Sequence, residues 1–253
     1  MAVKLLSFDL DGTIVPDGKI IPKPIQTAIR KARDAGHLVT VITGRTETSA
    51  RPFLDMLELD TPYGTAQGAR VQHSDGSVLF EHKLEGLIAQ KLVEASKVDG
   101  FFVATGEHFY VLDPSHERWL WAHNEGHKVR AWSQYENESV YKIVFESGSN
   151  GLQQKLEQHH QDLMFYPWGN QYLEVTRGGA TKGTALKLIA ETLGVAQADT
   201  IAFGDGGNDH AMLEWAGRSI VVDGGDLSLT REHERIAPPS EHGVALWLEQ
   251  NLL

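Results

Sequence analysis

The stretch FDLDGTIV, from Phe8 to Val15, places two aspartates two residues apart at the end of an apolar run. Buried strands seldom end in two carboxylates, because each loses hydration and the two repel each other. Gly-Thr follows at once, which indicates a turn. Asp9 and Asp11 therefore predict a site where a bound cation relieves the repulsion between them.

The composition is that of a globular protein with an acidic balance. The 253 residues include 23 basic and 34 acidic side chains, a formal net charge of −11, and no cysteine. The lack of cysteine excludes a disulfide scaffold and a thiolate nucleophile. The negative charge disfavours nucleic acid or an anionic membrane as a partner. With no signal peptide and no run long enough to span a bilayer, we expect a cytoplasmic protein; no pattern in the sequence indicates an oligomeric state.

Strand and helix patterns alternate in two separate blocks, which is typical of βαβ units around a parallel sheet. Between the blocks, hairpin signals and alternating strands predict a different, antiparallel unit. The predicted core strands cover 4–10, 38–42, 200–203 and 219–222, and the helices 22–35, 47–57, 182–193, 209–216 and 244–252. The fold predicted is α/β, a Rossmann-like parallel-sheet core (1–82 and 178–253) with an inserted α+β cap domain (83–177).

Three polar motifs follow predicted core strands. DLDGT follows the first strand, TGR (43–45) the second, and GDGGND (204–209) a late one, while Lys182 opens a helix after the insert. Ligands of open parallel sheets bind outside the carboxyl ends of the strands. We therefore expect these motifs to form one site.

The residue types in these motifs suit phosphoryl transfer. Asp9, Asp11, Asp205 and Asp209 offer hard oxygen ligands for Mg²⁺. A carboxylate can also act as a nucleophile and form an aspartyl-phosphate. The four carboxylates balance the charge of Mg²⁺ and two cationic side chains, so the site is neutral before a phosphate arrives.

The remaining motif residues offer groups that bind phosphate oxygens. Thr43 and the backbone N–H groups near it can donate hydrogen bonds, and Lys182 and Arg45 supply positive charge.

Taken together, the motifs resemble those of the haloacid dehalogenase superfamily, and the position of the insert resembles the Cof-type phosphatases, subfamily IIB, which carry a large α/β cap of the C2 type. The resemblance implies Asp9 as nucleophile and Asp11 as general acid/base, which protonates the leaving group and then activates water. It implies Mg²⁺ held by Asp9, the Asp11 backbone carbonyl and Asp205, with Asp209 in support. The residues expected to bind the phosphoryl group are Leu10, Thr43, Gly44, Arg45, Lys182 and Asn208.

Two stretches depart from the family pattern. Gln67-Gly-Ala stands where members commonly have Asn-Gly-Ala, and Asp223-Gly-Gly-Asp226 replaces a loop similar to Met-Gly-Asn-Ala, adding two acids with a bearing on substrate choice. In the insert, Trp119 and Trp121 are spaced to place both rings on one strand face, where packing is favoured over a substrate wall.

The function predicted is a Mg²⁺-dependent phosphatase of small phosphate monoesters, with sugar phosphates first. Its partner is then a small phosphorylated metabolite. Two alternatives stay open, a sugar phosphomutase that uses the same aspartates and a catalytically silent regulator that binds a phosphorylated ligand. The intact acid pair argues against the regulator.

Overall fold

The computed structural model describes residues 3–146, 149–225 and 233–253. The chain forms two compact units, one from Met1–Phe80 with Ala180–Leu253 and the other from Glu81–Gly179. The segment 83–177, predicted as a cap, lies within the second unit. Among the described residues, none of the helices combines the length and the apolar character needed to cross a membrane.

The first unit is built on a five-stranded parallel sheet. Its strands are β1 (Leu5–Phe8), β2 (Leu38–Val41), β12 (Thr200–Gly204), β13 (Arg218–Val222) and β14 (Glu234–Ile236). Their order is β14-β13-β12-β1-β2, and every neighbouring pair is parallel. Strand β2 lies on one side of β1, and the strands that come later in the chain, β12, β13 and β14, lie on the other side. The ends of β1 and β12 therefore form the switch point at which such sheets bind ligands.

Helices cover both faces of this sheet. They are α1 (Lys23–Asp34), α2 (Glu47–Met56), α6 (Lys182–Leu193), α7 (His210–Trp215) and α8 (Gly243–Asn251). Phe8 and Phe203 pack with α1 and α8 in one apolar cluster, and Leu5 and Ala202 pack with α6 and α7 in another. Because β1, β2 and β12 are buried on both faces, their sequences are short and largely apolar. This layering confirms the predicted parallel-sheet core.

A small three-stranded sheet continues the first unit. Its strands are β3 (Tyr63–Thr65), β4 (Arg70–Gln72) and β5 (Val78–Glu81), in that order. The β4–β5 connection contains the predicted Asp75-Gly76 turn, in which the Asp75 carboxylate accepts from the Ser77 N–H at 2.8 Å. Strand β3 was not predicted. It meets the core where the Thr43 N–H donates to the Gly64 carbonyl at 3.0 Å.

The described residues of the second unit form a six-stranded sheet and three α-helices. The strands are β6 (Phe101–Ala104), β7 (His108–Val111), β8 (Lys128–Ala131), β9 (Lys142–Phe145), β10 (Leu163–Trp168) and β11 (Tyr172–Arg177), and the helices are α3 (Gly86–Ser96), α4 (Leu120–Asn124) and α5 (Ser149–Glu157). The strand order is β10-β11-β9-β6-β7-β8. The expectation of antiparallel strands is wrong at one pair, because β7 and β8 are parallel. The connection through α4 is long enough for such a crossover.

The prediction of a strand around the two tryptophans is also wrong. Glu117–Trp119 forms a 3₁₀ turn that runs into α4. Trp119 is buried edge-on against Phe102 and Phe109, with ring centroids 6.2 and 6.0 Å apart, while Trp121 keeps 42% of its surface exposed. Because the chain is helical here, residues two apart point in different directions, so the two rings have different environments. Trp119 packs in the core of the second unit.

Candidate active site

The ends of β1 and β12 bring two aspartates to one edge of the core sheet. Phe8 and Phe203 are partners in the parallel register, so Asp9 and Asp205, which directly follow β1 and β12, leave the sheet at the same edge. The Asp9 N–H donates to the Phe203 carbonyl at 3.1 Å, which extends the ladder by one bond. The predicted convergence of these motifs is thus a direct consequence of strand pairing.

Lys182 lies buried between two of the aspartates. It is the first residue of α6, whose start is fixed by a capping box between Thr181 and Thr184. Its Nζ is 2.8 Å from Asp9 Oδ1 and 2.7 Å from Asp209 Oδ1, and the lysine side chain is fully buried. Breaking such a buried cluster typically costs about 3–5 kcal/mol, because a charge is left without a partner. Lys182 therefore holds both carboxylates in place.

Burial changes the proton affinity of this cluster. Loss of hydration raises the pKa of Asp9 well above its ordinary value; the charge of Lys182 opposes that rise, and Asp209 and Asp205 add to it. Burial, helped by the charge of Asp209, raises the pKa of Asp205 to about 6. Burial would lower the pKa of Lys182, but its attraction to Asp209 and Asp9 raises it. The raised pKa values of Asp9 and Asp205 mean that holding both carboxylates ionised is unfavourable here, a cost that a bound cation would relieve.

Asp209 organises the loop that follows β12. Its side chain is fully buried, and its Oδ2 accepts from the N–H groups of Asp205 at 3.0 Å and Gly206 at 2.9 Å. Gly204 makes this close packing possible, because a Cβ at that position would lie 2.6 Å from the Asp209 side chain. Asp209 therefore sets the path of the backbone that carries Asp205.

Asp9, Asp205 and Asp209 form a candidate metal centre. One carboxylate oxygen from each lies within 4.8 Å of the others. Three hard, partly buried oxygen donors with surplus negative charge fit a small divalent cation. The Asp11 carboxylate is not part of this cluster, and the role of its backbone carbonyl as a ligand stays a prediction.

The Asp11 carboxylate instead forms a bidentate ion pair with Arg45. Arg45 Nε donates to Asp11 Oδ2 at 2.8 Å and Nη2 donates to Oδ1 at 2.6 Å. Arg45 also donates to the Gly18 carbonyl at 2.9 Å and lies over the Phe53 ring at 4.5 Å. The Arg45 guanidinium is thus directed toward Asp11. A contact between Arg45 and phosphate stays a prediction.

The TGR loop is held by the turn that follows β3. Thr43 is buried, and its Oγ1 accepts from the Arg45 N–H at 3.1 Å. The Thr43 carbonyl accepts from the Gln67 N–H at 3.0 Å. The side chain of Gln67 in turn accepts a hydrogen bond from Asn208 at 3.0 Å. The structure therefore connects Thr43 and Asn208, two of the predicted phosphate ligands, through a residue that has no assigned role.

The family model for haloacid dehalogenase-like hydrolases matches residues 6–248. The chain belongs to the haloacid dehalogenase-like hydrolases. The match extends over both units and confirms the superfamily and the Cof-type branch that the motifs indicated. The protein is accordingly an enzyme of the phosphoric monoester hydrolase class.

Curated relatives within this hydrolase family are similar over nearly the whole chain. The 5-amino-6-(5-phospho-D-ribitylamino)uracil phosphatase YwtE of Bacillus subtilis is 28% identical over 286 aligned residues, which cover 99% of this chain and 98% of the relative. The pyridoxal phosphate phosphatase YbhA of Escherichia coli is 26% identical, with coverage of 89% and 90%. A haloacid dehalogenase-like hydrolase from Bacteroides thetaiotaomicron shares the fold, with a TM-score of 0.85 at 18% identity and coverage of 98% and 99%.

Two members of the site in this hydrolase had no role in the sequence-based prediction. The hydroxyl of Thr13 donates to Asp205 Oδ1 at 2.9 Å, joining the first motif to the last. Its place in the DLDGT motif was the available signal. Gln67 was noted only as a departure from the family pattern. The side chain of Leu10 is fully buried, so a phosphate contact there would come from its backbone N–H.

Of the two acids in the Asp223-Gly-Gly-Asp226 stretch, the structure describes one. Asp223 Oδ1 lies 2.9 Å from Arg235 Nε, so its charge is paired within the core unit. Asp226 lies outside the described residues. The pairing of Asp223 reduces the effect that this acid was expected to have on substrate choice.

We expect Gly12→Ala to lower catalytic activity about 10²-fold, the scale on which a misplaced catalytic group loses rate. Gly12 has a φ of +79°, and a Cβ there would lie 2.2 Å from Asp205 Oδ2, so the methyl group must displace this carboxylate. Gly194→Ala is the matched control, because Gly194 has a φ of +68° with no atom within 4 Å of the added Cβ. Phosphate release and thermal unfolding are measured for both. Near-normal activity of Gly12→Ala would contradict the assignment of Asp205 to the active site.

Proposed function

We propose that this hydrolase is a Mg²⁺-dependent phosphatase that acts on small phosphate monoesters through an aspartyl-phosphate at Asp9. The observation that carries the proposal is the buried Asp9 carboxylate, held by Lys182 at 2.8 Å within a cluster of three aspartates at the switch point of the sheet. A carboxylate fixed at this position is suited to attack a phosphoryl group that binds over the sheet edge.

The reaction takes place in two displacements. In the first, a carboxylate oxygen of Asp9 attacks phosphorus, the bond between phosphorus and the ester oxygen breaks, and Asp11 protonates the departing oxygen. In the second, water attacks phosphorus and gives a proton to Asp11, while the bond to Asp9 breaks and phosphate is released.

Asp9, Asp205 and the Asp11 backbone carbonyl are proposed to hold Mg²⁺, with Asp209 supporting the loop. When bound there, Mg²⁺ supplies positive charge that allows an anionic nucleophile to approach an anionic phosphoryl group. Lys182, whose Nζ lies 2.8 Å from Asp9 Oδ1, adds positive charge beside the proposed nucleophile. The groups proposed to bind the phosphoryl oxygens are Leu10, Thr43, Gly44, Arg45, Lys182 and Asn208.

Sugar phosphates are the substrate class that we place first. Hexose and pentose monophosphates carry one phosphoryl group, which the charges of the motif residues are balanced to receive. A second candidate class is phosphate monoesters of nitrogen heterocycles. The names of two relatives favour it, since one acts on a phosphoribitylaminouracil and the other on pyridoxal phosphate. A cytoplasmic location suits either class of metabolite and stays a prediction.

Chelation is expected to remove activity, and Mg²⁺ is expected to restore it while Ca²⁺ fails. Mg²⁺ imposes tight octahedral coordination, whereas Ca²⁺ accepts longer and looser coordination that misplaces the attacking carboxylate. Phosphate release is measured after exhaustive treatment with chelator and again after each ion is added. Full activity of the chelated protein would contradict the metal assignment.

A substrate panel tests the proposed class. We expect kcat/KM for glucose 6-phosphate, ribose 5-phosphate or pyridoxal phosphate to exceed that for ATP by about tenfold or more, which requires only ~1.4 kcal/mol of differential transition-state binding. The assays use one fixed concentration of free Mg²⁺. Analysis of the products separates phosphatase from phosphomutase, since a mutase returns an isomeric sugar phosphate. A preference for ATP, or such an isomer as the main product, would count against the proposal.

A further inference from the structure

We propose that Gln67 is a positioning residue that fixes the phosphate-binding groups of Gly44 and Asn208 relative to each other. The inference rests on the proposed role of those two residues as phosphate ligands. Gln67 lies in the turn after β3, outside the three motifs, and its side chain reaches two of them. The turn 66–68 is called the Gln67 turn below.

The backbone of the Gln67 turn adopts a conformation that side chains rarely take. Gln67 has a φ of +60° and Ala66 a φ of +50°. A residue other than glycine in this left-handed region loses about 1–2 kcal/mol, and such strain persists only where surrounding contacts enforce it. Here the enforcing contacts come from the TGR loop. The Ala66 N–H donates to the Arg45 carbonyl at 2.7 Å, and the Gln67 N–H donates to the Thr43 carbonyl at 3.0 Å.

The side chain of Gln67 lies directly against Gly44. Gln67 is 3% exposed, and a Cβ added to Gly44 would lie 2.4 Å from Gln67 Nε2. Real Cβ contacts do not come this close, so residue 44 must be glycine for the amide to occupy its place. The contact thus limits both the identity and the position of the loop residue expected to bind phosphate.

The other end of the same amide orients Asn208. Gln67 Oε1 accepts from Asn208 Nδ2 at 3.0 Å. An amide nitrogen has two hydrogens, and an acceptor for one of them determines which way the asparagine amide faces. The remaining hydrogen and the Oδ1 atom of Asn208 are then available to a ligand. A residue without an acceptor at this point would leave the amide free to turn.

The Gln67 turn also contacts the segment that carries Lys182. Gly68 has a φ of +88°, and a Cβ there would lie 2.4 Å from the carbonyl oxygen of Thr181, the N-cap of α6. The turn therefore packs against chain segments from three parts of the site. Its backbone restrains Thr43 and Lys182, while the Gln67 side chain restrains Gly44 and Asn208.

The test compares Gln67→Ala with Gln67→Gly. Both variants lose the amide, but only alanine keeps the strain of the positive φ, so the alanine variant is expected to melt at the lower temperature. A positioning role predicts that both variants lose affinity for inorganic phosphate equally, by about tenfold or more. The reason is that the Gln67 amide, which orients Asn208 toward the anion, is missing from both. Binding of inorganic phosphate is measured by calorimetry with Mg²⁺ present. In turnover assays with p-nitrophenyl phosphate, we measure KM for this substrate and Ki for inorganic phosphate as the inhibitor.

Gln67→Glu adds a sharper variant of the same length. Its carboxylate still accepts from Asn208 but replaces the Nε2 amide group beside Gly44 with a negative charge. We expect it to weaken binding of inorganic phosphate more than either truncation. Gln154→Glu, at an exposed position of α5, is the control for the added charge and should bind phosphate as the wild type does.

Three results would overturn the inference. Unchanged phosphate affinity in both truncated variants would leave Gln67 without a positioning role. If phosphate affinity falls in Gln67→Ala together with the melting temperature but is normal in Gln67→Gly, Gln67 serves backbone stability alone. Absence of phosphate binding and turnover in the wild type would remove the proposed function itself, and with it the inference.

Discussion

Asp9→Asn is expected to abolish phosphate release while the protein stays folded. The amide is nearly isosteric with the carboxylate, but it is a very poor nucleophile and a weaker metal ligand. Removal of a catalytic nucleophile should lower turnover by at least about 10³-fold. The melting temperature should not fall, because burial already raises the pKa of Asp9 and Lys182 keeps its ion pair with Asp209 at 2.7 Å.

Asp223→Asn is the matched control for this variant. Asp223 follows β13 at the same edge of the sheet, but its carboxylate pairs with Arg235 rather than Lys182. Phosphate release and thermal unfolding are measured side by side for the two variants. Activity close to wild type is expected for Asp223→Asn. More than a few per cent of wild-type activity in Asp9→Asn, with Mg²⁺ present, would remove Asp9 as the nucleophile.

Asp11→Asn should have an effect that depends on the leaving group. General acid/base catalysis typically contributes ~10²–10⁴-fold, and a sugar alkoxide needs the proton more than an activated phenolate does. The loss should therefore be larger for ribose 5-phosphate than for p-nitrophenyl phosphate in single-turnover phosphorylation. Asp11 is half exposed in its ion pair with Arg45, so its contribution to stability is about 0–1 kcal/mol. Equal losses for both substrates would argue against Asp11 as the acid.

The core fold was accessible from the sequence because burial on both faces produces a simple pattern. The helix predicted over 182–193 is observed as Lys182–Leu193, and the four core strands that were predicted appear within two residues of their predicted limits, while β14 was not predicted. Parallel pairing then requires the strand ends to meet at one edge. The approach of Asp9 to Asp205 follows from that requirement, without any knowledge of side-chain geometry.

The missed strands of the second unit lie at the edges of its sheet. Strand β10 contains Pro167, which argues against a strand in the interior of a sheet. Among the strands that the structure describes, β10 pairs only with β11, so its missing N–H disrupts no second ladder. Strand β8 is four residues long and largely exposed or half-buried, and within the same described set it pairs only with β7. Neither strand has the apolar run on which the sequence-based prediction depends.

Partners within the site depended on rotamers and local backbone, which a sequence pattern does not encode. Arg45 was predicted as a cation for phosphate, but its bidentate pair with Asp11 requires knowledge of where the side chain turns. Gln67 takes a left-handed conformation that its residue type disfavours, so no turn rule would place it. The contact between Thr13 and Asp205 joins residues 192 positions apart. Each of these needed the folded chain.

Trapping the phosphoenzyme tests the central claim most directly. The protein is mixed with p-nitrophenyl phosphate and Mg²⁺, quenched in acid within one turnover and reduced with borohydride, which converts an aspartyl-phosphate to homoserine. Peptide mass spectrometry should then find homoserine at position 9 in the wild type, more of it in Asp11→Asn, and none in Asp9→Asn. Modification at another residue, or complete phosphate release in that turnover with no modified peptide, would contradict the aspartyl-phosphate mechanism.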